Sequence, residues 1–287
     1  METQAARRSP QSTPATLASK EECLHETIQG YGAAIVAFSG GVDSTLVAAV
    51  AAAVLGRRAI AVTGRSPSLP ASEYEEAVAL AAKIGVAHRV IDTQELSREG
   101  YVTNAGDRCY HCKSELYAAL RSLAIARDAV VLNGTNVDDL GDYRPGLRAA
   151  REYGVKSPLL EARLGKAEVR ALSRKLHLPT WDKPAMACLA SRIPPGTAVT
   201  IELLEQVEAA EAFLRTLGLR EVRVRHHGEI ARIETDAAGI DLAIMQRKLI
   251  ETRLRGLGYR FVVLDLGGFR SGSLNPPTMA TERCSAS

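Results

Sequence analysis

The chain has 287 residues, 46% of them apolar and 24% charged, and 36 basic against 33 acidic side chains leave a net charge of +3. This is globular-enzyme usage, long enough for one large domain or a medium domain with a small companion. It excludes a broad field for nucleic acid or a membrane surface, and no apolar run is long enough to span a bilayer. Residues 1–18 lack an apolar leader core and, like 271–287 with Asn275-Pro276-Pro277, read as tails, so a cytoplasmic location is expected.

The first strong element is the apolar run 33–38, which reads as a strand. It stops at Ser39-Gly40-Gly41-Val42-Asp43-Ser44 and passes into an alanine-rich helix ending near Gly56. Glycines at such a turn let backbone approach a ligand, and the unpaired N–H groups and dipole of the helix start favour a phosphate. Ser39 and Ser44 add hydroxyl donors, and Asp43 is suited to orient an amine or, through a metal, a polyphosphate. Neither a Walker lysine nor dinucleotide-fingerprint spacing is present.

Strands at 59–63, 88–91 and 129–133 alternate with helices at 72–84, with Ser72 as N-cap, and at about 112–126. The last strand runs into Gly134-Thr135-Asn136-Val137-Asp138-Asp139, and a helix follows at 165–176. The alternation predicts a parallel α/β sheet over residues 19–190, with the Ser39 and Gly134 turns both at carboxyl ends of strands, where such sheets bind ligands. A proline-marked connection, 179–200, is long enough to be functional. Beyond it come a helix (200–217), strands at 221–226 and 230–234 joined at Gly228, a helix (236–255) and a strand (261–266), a smaller α+β domain over 191–270.

Five cysteines without a secretion signal argue against a disulfide framework, and Cys23 and Cys284 are given no chemical role. Cys109 and Cys112, in Arg108-Cys109-Tyr110-His111-Cys112-Lys113, stand at a helix start, where the terminus and the flanking bases are expected to favour thiolate. Cys188 lies in the long connection beside Arg192, placed for a nucleophile or ligand, although any of these thiols also suits a buried small hydrophobe. Arg223 and Arg225 share a strand face and, with the loop residues Arg192 and Arg270, are placed either to surround a phosphate or to form a solvated face. Glu211, Glu234 and Asp241 read as surface carboxylates or a metal set, and His226 and His227 as surface residues.

SGGVDS at 39–44 resembles the pyrophosphate loop of ATP pyrophosphatases. With RCYHCK (108–113), GTNVDDLGDYRPG (134–146) and ACLASR (187–192) following in order, residues 33–270 resemble the LarE family of ATP-dependent sulfur transferases. The resemblance implies a pyrophosphate-loop domain that, with ATP and Mg²⁺, adenylates a carboxylate of pyridinium-3,5-biscarboxylic acid mononucleotide and converts it to a thiocarboxylate for a nickel-holding cofactor. It gives Ser39, Gly40, Gly41, Val42, Asp43, Ser44, Thr63, Gly134, Thr135 and Asp138 to ATP, with Asp142 and Arg144 on the rim. Arg144, Ser191, Arg192, Arg223, Arg225 and Arg270 fall to the substrate phosphate. Glu211, Glu234 and Asp241 would hold a metal where subunits of a homo-hexamer meet.

Cys188 matches the sulfur-bearing cysteine of the family, whose loss of sulfur leaves dehydroalanine. Three-cysteine members are associated with a [4Fe-4S] cluster, which makes Cys109, Cys112 and Cys188 cluster ligands, and the cluster route is the one expected. A Cys109–Cys112 redox pair or a zinc site are lesser readings. The rivals in function are a tRNA thiolase of the same superfamily, an amidating synthetase, and a non-catalytic adenine-nucleotide-binding module.

Overall fold

The computed structural model describes residues 16–141, 145–184 and 186–270. Helix α1 (Leu17–Gly30) begins inside the expected tail because Thr16 caps it, its Oγ1 accepting from the Ser19 N–H at 3.2 Å. Then follow β1 (Ala34–Ala37), α2 (Val42–Leu55), β2 (Ala59–Arg65), α3 (Ala71–Ile84), β3 (Ala87–Asp92) and the short α4 (Glu99–Val102). Next come α5 (Arg108–Ile125), β4 (Val130–Leu132), α6 (Pro145–Glu152), α7 (Pro158–Glu161) and α8 (Lys166–Lys175).

The four strands form a parallel sheet in the order β3-β2-β1-β4, with Ile35 in register with Ile60 on one side and Val131 on the other. One sheet face is covered by α1, α2, α3 and α8 through residues such as Leu24, Leu46, Leu80 and Leu172. The other is covered by α5 and α6 through Tyr117, Leu120 and Ala149. Two sequence expectations shift here. Helix α3 starts at Ala71 after Pro70, not at a Ser72 cap, because the Ala71 N–H is taken by the Glu208 carboxylate at 2.6 Å. Helix α5 starts at Arg108, so Cys109 and Cys112 are both helical.

Residues 186–200 carry one short turn of 3-10 helix, Leu189–Arg192. Beyond it are α9 (Ile201–Thr216), β5 (Val222–His227), β6 (Ile230–Thr235), α10 (Ala237–Met245), α11 (Arg247–Gly256) and β7 (Phe261–Leu264). Strands β5 and β6 make the expected antiparallel hairpin, with Gly228 at φ 61°, and β7 joins β6 in parallel. The single helix expected over 236–255 is two helices, broken at Gln246.

Between the two sheets Tyr101, Leu189, Ile193, Val199, Leu204 and Val207 are each no more than 1% exposed. With roughly 1.5–3 kcal/mol for each large side chain removed from water, the connection is fastened into a core of its own. No helix among the described residues is long and apolar enough to cross a membrane.

Candidate functional site

The sheet order changes direction between β1 and β4, which opens a crevice at their carboxyl ends. The turn after β1 lines it. The Ser39 N–H donates to Ser44 Oγ at 3.2 Å, the Gly41 N–H to Ser39 Oγ at 3.3 Å, and Ser44 Oγ donates to the Gly41 carbonyl at 3.2 Å. Gly40 stands at φ +73°, and a β-carbon there would lie 3.2 Å from Ala77 Cβ. A β-carbon on Gly134 would lie 2.8 Å from Ser44 N and 2.9 Å from Asp43 Cβ, so glycine alone lets the second turn seat on the first. Gly41 caps α2 without a side-chain bond, which leaves the first-turn N–H groups for a ligand. An anion is the ligand that such a turn of bare backbone at a helix start favours.

Asp43 is already engaged: Lys166 Nζ donates to its Oδ2 at 2.5 Å and Asn136 Nδ2 to its Oδ1 at 3.1 Å. Lys166 opens α8, and its N–H donates to Asp138 Oδ2 at 2.6 Å, so Asp138 serves that helix start. The Thr135 N–H donates to Asn133 Oδ1 at 3.1 Å. Thr63 is buried, its Oγ1 donating to the Phe38 carbonyl at 2.9 Å and standing 2.9 Å from His88 Nε2. Thr63 therefore ties β2 to the loop from within. Asp142, Arg144 and Cys284 lie outside the described residues. Lys166 carries nothing but a helix start to mark it in sequence.

Cys109 is exposed and Cys112 half-buried on α5. Burial pushes the Cys112 thiol up to about 12 against the pull of Lys113, which reverses the sequence expectation: the helix turns this thiol into the apolar junction, and desolvation outweighs the bases. Cys188 packs on the same cluster, immediately before the Leu189 turn. Its segment is pinned by the Leu189 N–H to the Ser68 carbonyl at 2.8 Å and by Arg192 Nη1 to the Cys188 carbonyl at 3.0 Å. Asn104, at φ +53°, donates from Nδ2 to the Pro194 carbonyl at 2.8 Å and the Thr197 carbonyl at 3.1 Å, while Arg108 Nη1 donates to its Oδ1 at 2.6 Å. That residue links the cysteine helix to the connection.

Glu95 and Tyr101 are buried beside the thiols, and neither carries a sequence motif. Ser68 Oγ donates to Glu95 Oε1 at 3.0 Å, whereas Glu95 Oε2 has no hydrogen-bond partner among the described residues. Burial, with Cys188 and Cys112 nearby, raises the Tyr101 phenol above its ordinary range.

The three thiols gather at one junction, but among the described residues no group of three His, Cys, Asp or Glu side chains is arranged to hold a metal ion. The described residues thus do not show the expected [4Fe-4S] ligand set, and Glu211 and Glu234 are each taken up by a buried arginine instead of standing with Asp241 as a metal set.

The arginines need a larger correction. Arg192 is 0% exposed and bidentate on Glu211, Nε to Oε1 at 2.8 Å and Nη2 to Oε2 at 3.0 Å. Arg225 is buried on Glu234, Nη2 to Oε2 at 2.9 Å, and donates from Nη1 to the Ser191 carbonyl at 3.0 Å. Glu211 and Glu234 are thus internal charge partners, not surface carboxylates, because the 189–192 turn and α9 cover that face of β5. Burial works against the Glu211 carboxylate, yet the Arg192 bonds and charge and the Val224 N–H hold it below the ordinary range.

Arg223, half-buried, lies 5.3 Å over the Phe269 ring, and exposed Arg270 pairs loosely with Asp265 at 3.8 Å, so these two remain the reachable cations. Asp241 is exposed. His226 is buried against Tyr259, ring centres 5.8 Å apart, and His227 is half-buried, so neither is a surface residue.

The NAD synthase family model matches residues 16–121, the segment that holds the phosphate cradle. Over 263 residues the chain is 47% identical to an uncharacterized protein of Synechocystis sp., covering 90% of this chain and 98% of that one. It is 41% identical over 263 residues to the pyridinium-3,5-bisthiocarboxylic acid mononucleotide synthase of Lactiplantibacillus plantarum, covering 91% of this chain and 95% of that one. A likeness of this extent over nearly the whole of both chains shows the family: this chain belongs to the pyridinium-3,5-bisthiocarboxylic acid mononucleotide synthases, the LarE family.

Proposed function

We propose that this protein is an ATP-dependent sulfur transferase that adenylates a carboxylate of pyridinium-3,5-biscarboxylic acid mononucleotide, expels pyrophosphate and replaces AMP by sulfur. The observation that carries the reading is the adjacency of the Cys188 segment and the glycine cradle. Lys183 Nζ stands 3.5 Å from the Gly40 carbonyl, and a methyl on Gly41 would lie 3.7 Å from Met186 Cε. ATP supplies the adenylyl group, and Mg²⁺ screens its phosphates. The Gly40, Gly41 and Val42–Ser44 backbone holds those phosphates, and Lys166 and Asn136 fix the Asp43 carboxylate beside them.

The Cys188 sulfur, as thiolate, attacks the acyl carbon. The acyl–oxygen bond breaks, AMP leaves with its electron pair, and a thioester remains on Cys188. Removal of the Cα proton then breaks the Cβ–S bond, whose electrons leave with the thiocarboxylate, and dehydroalanine stays in the chain. The reachable Arg223 and Arg270 suit the substrate phosphate. A homo-oligomer belongs to this reading, supported by the exposed apolar Met245, Leu249, Phe261 and Leu266, and light scattering tests it. A cytoplasmic location goes with the substrate class.

Pyrophosphate release that depends on the pyridinium mononucleotide is the deciding assay; none from a folded, nucleotide-binding preparation refutes the function. Intact mass then reads the sulfur source, with loss of one H₂S per chain expected. An unchanged mass with product formed, together with iron uptake that Cys109→Ala abolishes, would replace the self-consuming route by the cluster route. Retention of bulk tRNA on filters at moderate salt would favour the thiolase.

A further inference from the structure

Lys183 sits in the same segment as Cys188 and is held as if aimed at the cradle. Arg170 on α8 clamps the backbone there, donating from Nη1 to the Trp181 carbonyl at 2.8 Å and from Nη2 to the Lys183 carbonyl at 2.9 Å. The ammonium reaches across to the phosphate turn, 3.5 Å from the Gly40 carbonyl, and pairs with Glu76 Oε2 on α3 at 2.6 Å. The two ends of that pair are unequally placed: the lysine side chain is 22% exposed and the Glu76 side chain 61%. An ion pair with so exposed a carboxylate is weak, whereas a polyphosphate seated on the α2 start brings several negative charges to the same ammonium.

Resting on the reading of the cradle as an ATP site, we propose that Lys183 is a nucleotide ligand that leaves Glu76 for the β- and γ-phosphates, the part expelled as pyrophosphate. The lysine stabilises the departing pyrophosphate charge.

Calorimetry with α,β-methylene-ATP and with AMP tests this on the full-length protein. Lys183→Met is expected to weaken the ATP analogue about tenfold or more, the size of one lost charge-assisted bond, and to leave AMP, which lacks those phosphates, unchanged. Lys183→Arg should keep most of the affinity. Glu76→Gln should tighten the analogue a few-fold by removing the competing carboxylate.

Equal analogue affinity in Lys183→Met, an equal loss of AMP affinity, or a weakened Glu76→Gln would overturn the assignment while leaving the sulfur-transfer reading intact. Failure of the parent protein to bind the analogue would bring down the ATP site itself and this inference with it.

Discussion

Replacing Gly134 by alanine probes the cradle more sharply than any change to its hydroxyls. The added β-carbon would stand 2.8 Å from Ser44 N, 2.9 Å from Asp43 Cβ and 3.0 Å from the Asp43 carbonyl carbon, two of these atoms backbone at the start of α2. No rotamer relieves the clash, so either the Gly134 turn or the helix start moves by several tenths of an ångström. Overpacking of this kind costs about 1–3 kcal/mol. For a protein of this size each kcal/mol lowers Tm by roughly 2–4 °C. The displaced N–H groups are those that face the phosphates, so ATP-analogue affinity should fall along with Tm. Gly30→Ala, at the end of α1 with no atom within 4 Å of its added carbon, is the control and should stay within about 0.5 kcal/mol of the parent. Differential scanning fluorimetry and calorimetric titration read both quantities. Parent-like Tm and affinity in Gly134→Ala would refute the claim that the two turns form one rigid site.

Arg192→Met strips the buried Glu211 of its bidentate partner and should cost about 3–5 kcal/mol in urea unfolding, with Arg192→Met/Glu211→Leu regaining much of it; no loss in the single variant would contradict a buried pair. Because the folded Glu211 pKa is depressed below its ordinary 4.5, the pair contributes fully above that value, and Tm should fall as pH drops through the lower folded pKa, less steeply in the double variant. Asn104→Ala removes the bonds to Pro194 and Thr197 and should speed alkylation of Cys188 while lowering stability by about 1–3 kcal/mol; an unchanged labelling rate would separate Asn104 from Cys188 placement. Cys188→Ser should retain substrate-dependent pyrophosphate release yet form no thiocarboxylate by mass spectrometry, and product from that variant would exclude Cys188 as the sulfur source.

The features legible in the amino-acid order are local ones. The glycine turn at 39–41 needs only its own residues to free N–H groups at a helix start, and the strand–helix alternation up to Leu132 needs only hydrophobic period. The Gly228 hairpin was legible for the same reason. Tertiary structure decided what lies over each face. Alternation put Arg223 and Arg225 on one side of β5 but could not say that the Leu189–Arg192 turn covers Arg225 and leaves Arg223 reachable. The sign of the Cys112 shift depended on which side of α5 meets the junction, and desolvation there outweighs the neighbouring bases. Lys166, Lys183 and Glu95 carry no motif; they matter because folding sets them against Asp43, Gly40 and Ser68. Backbone geometry is encoded within a few residues, whereas charge pairing and burial belong to surfaces that the chain brings together only when it folds.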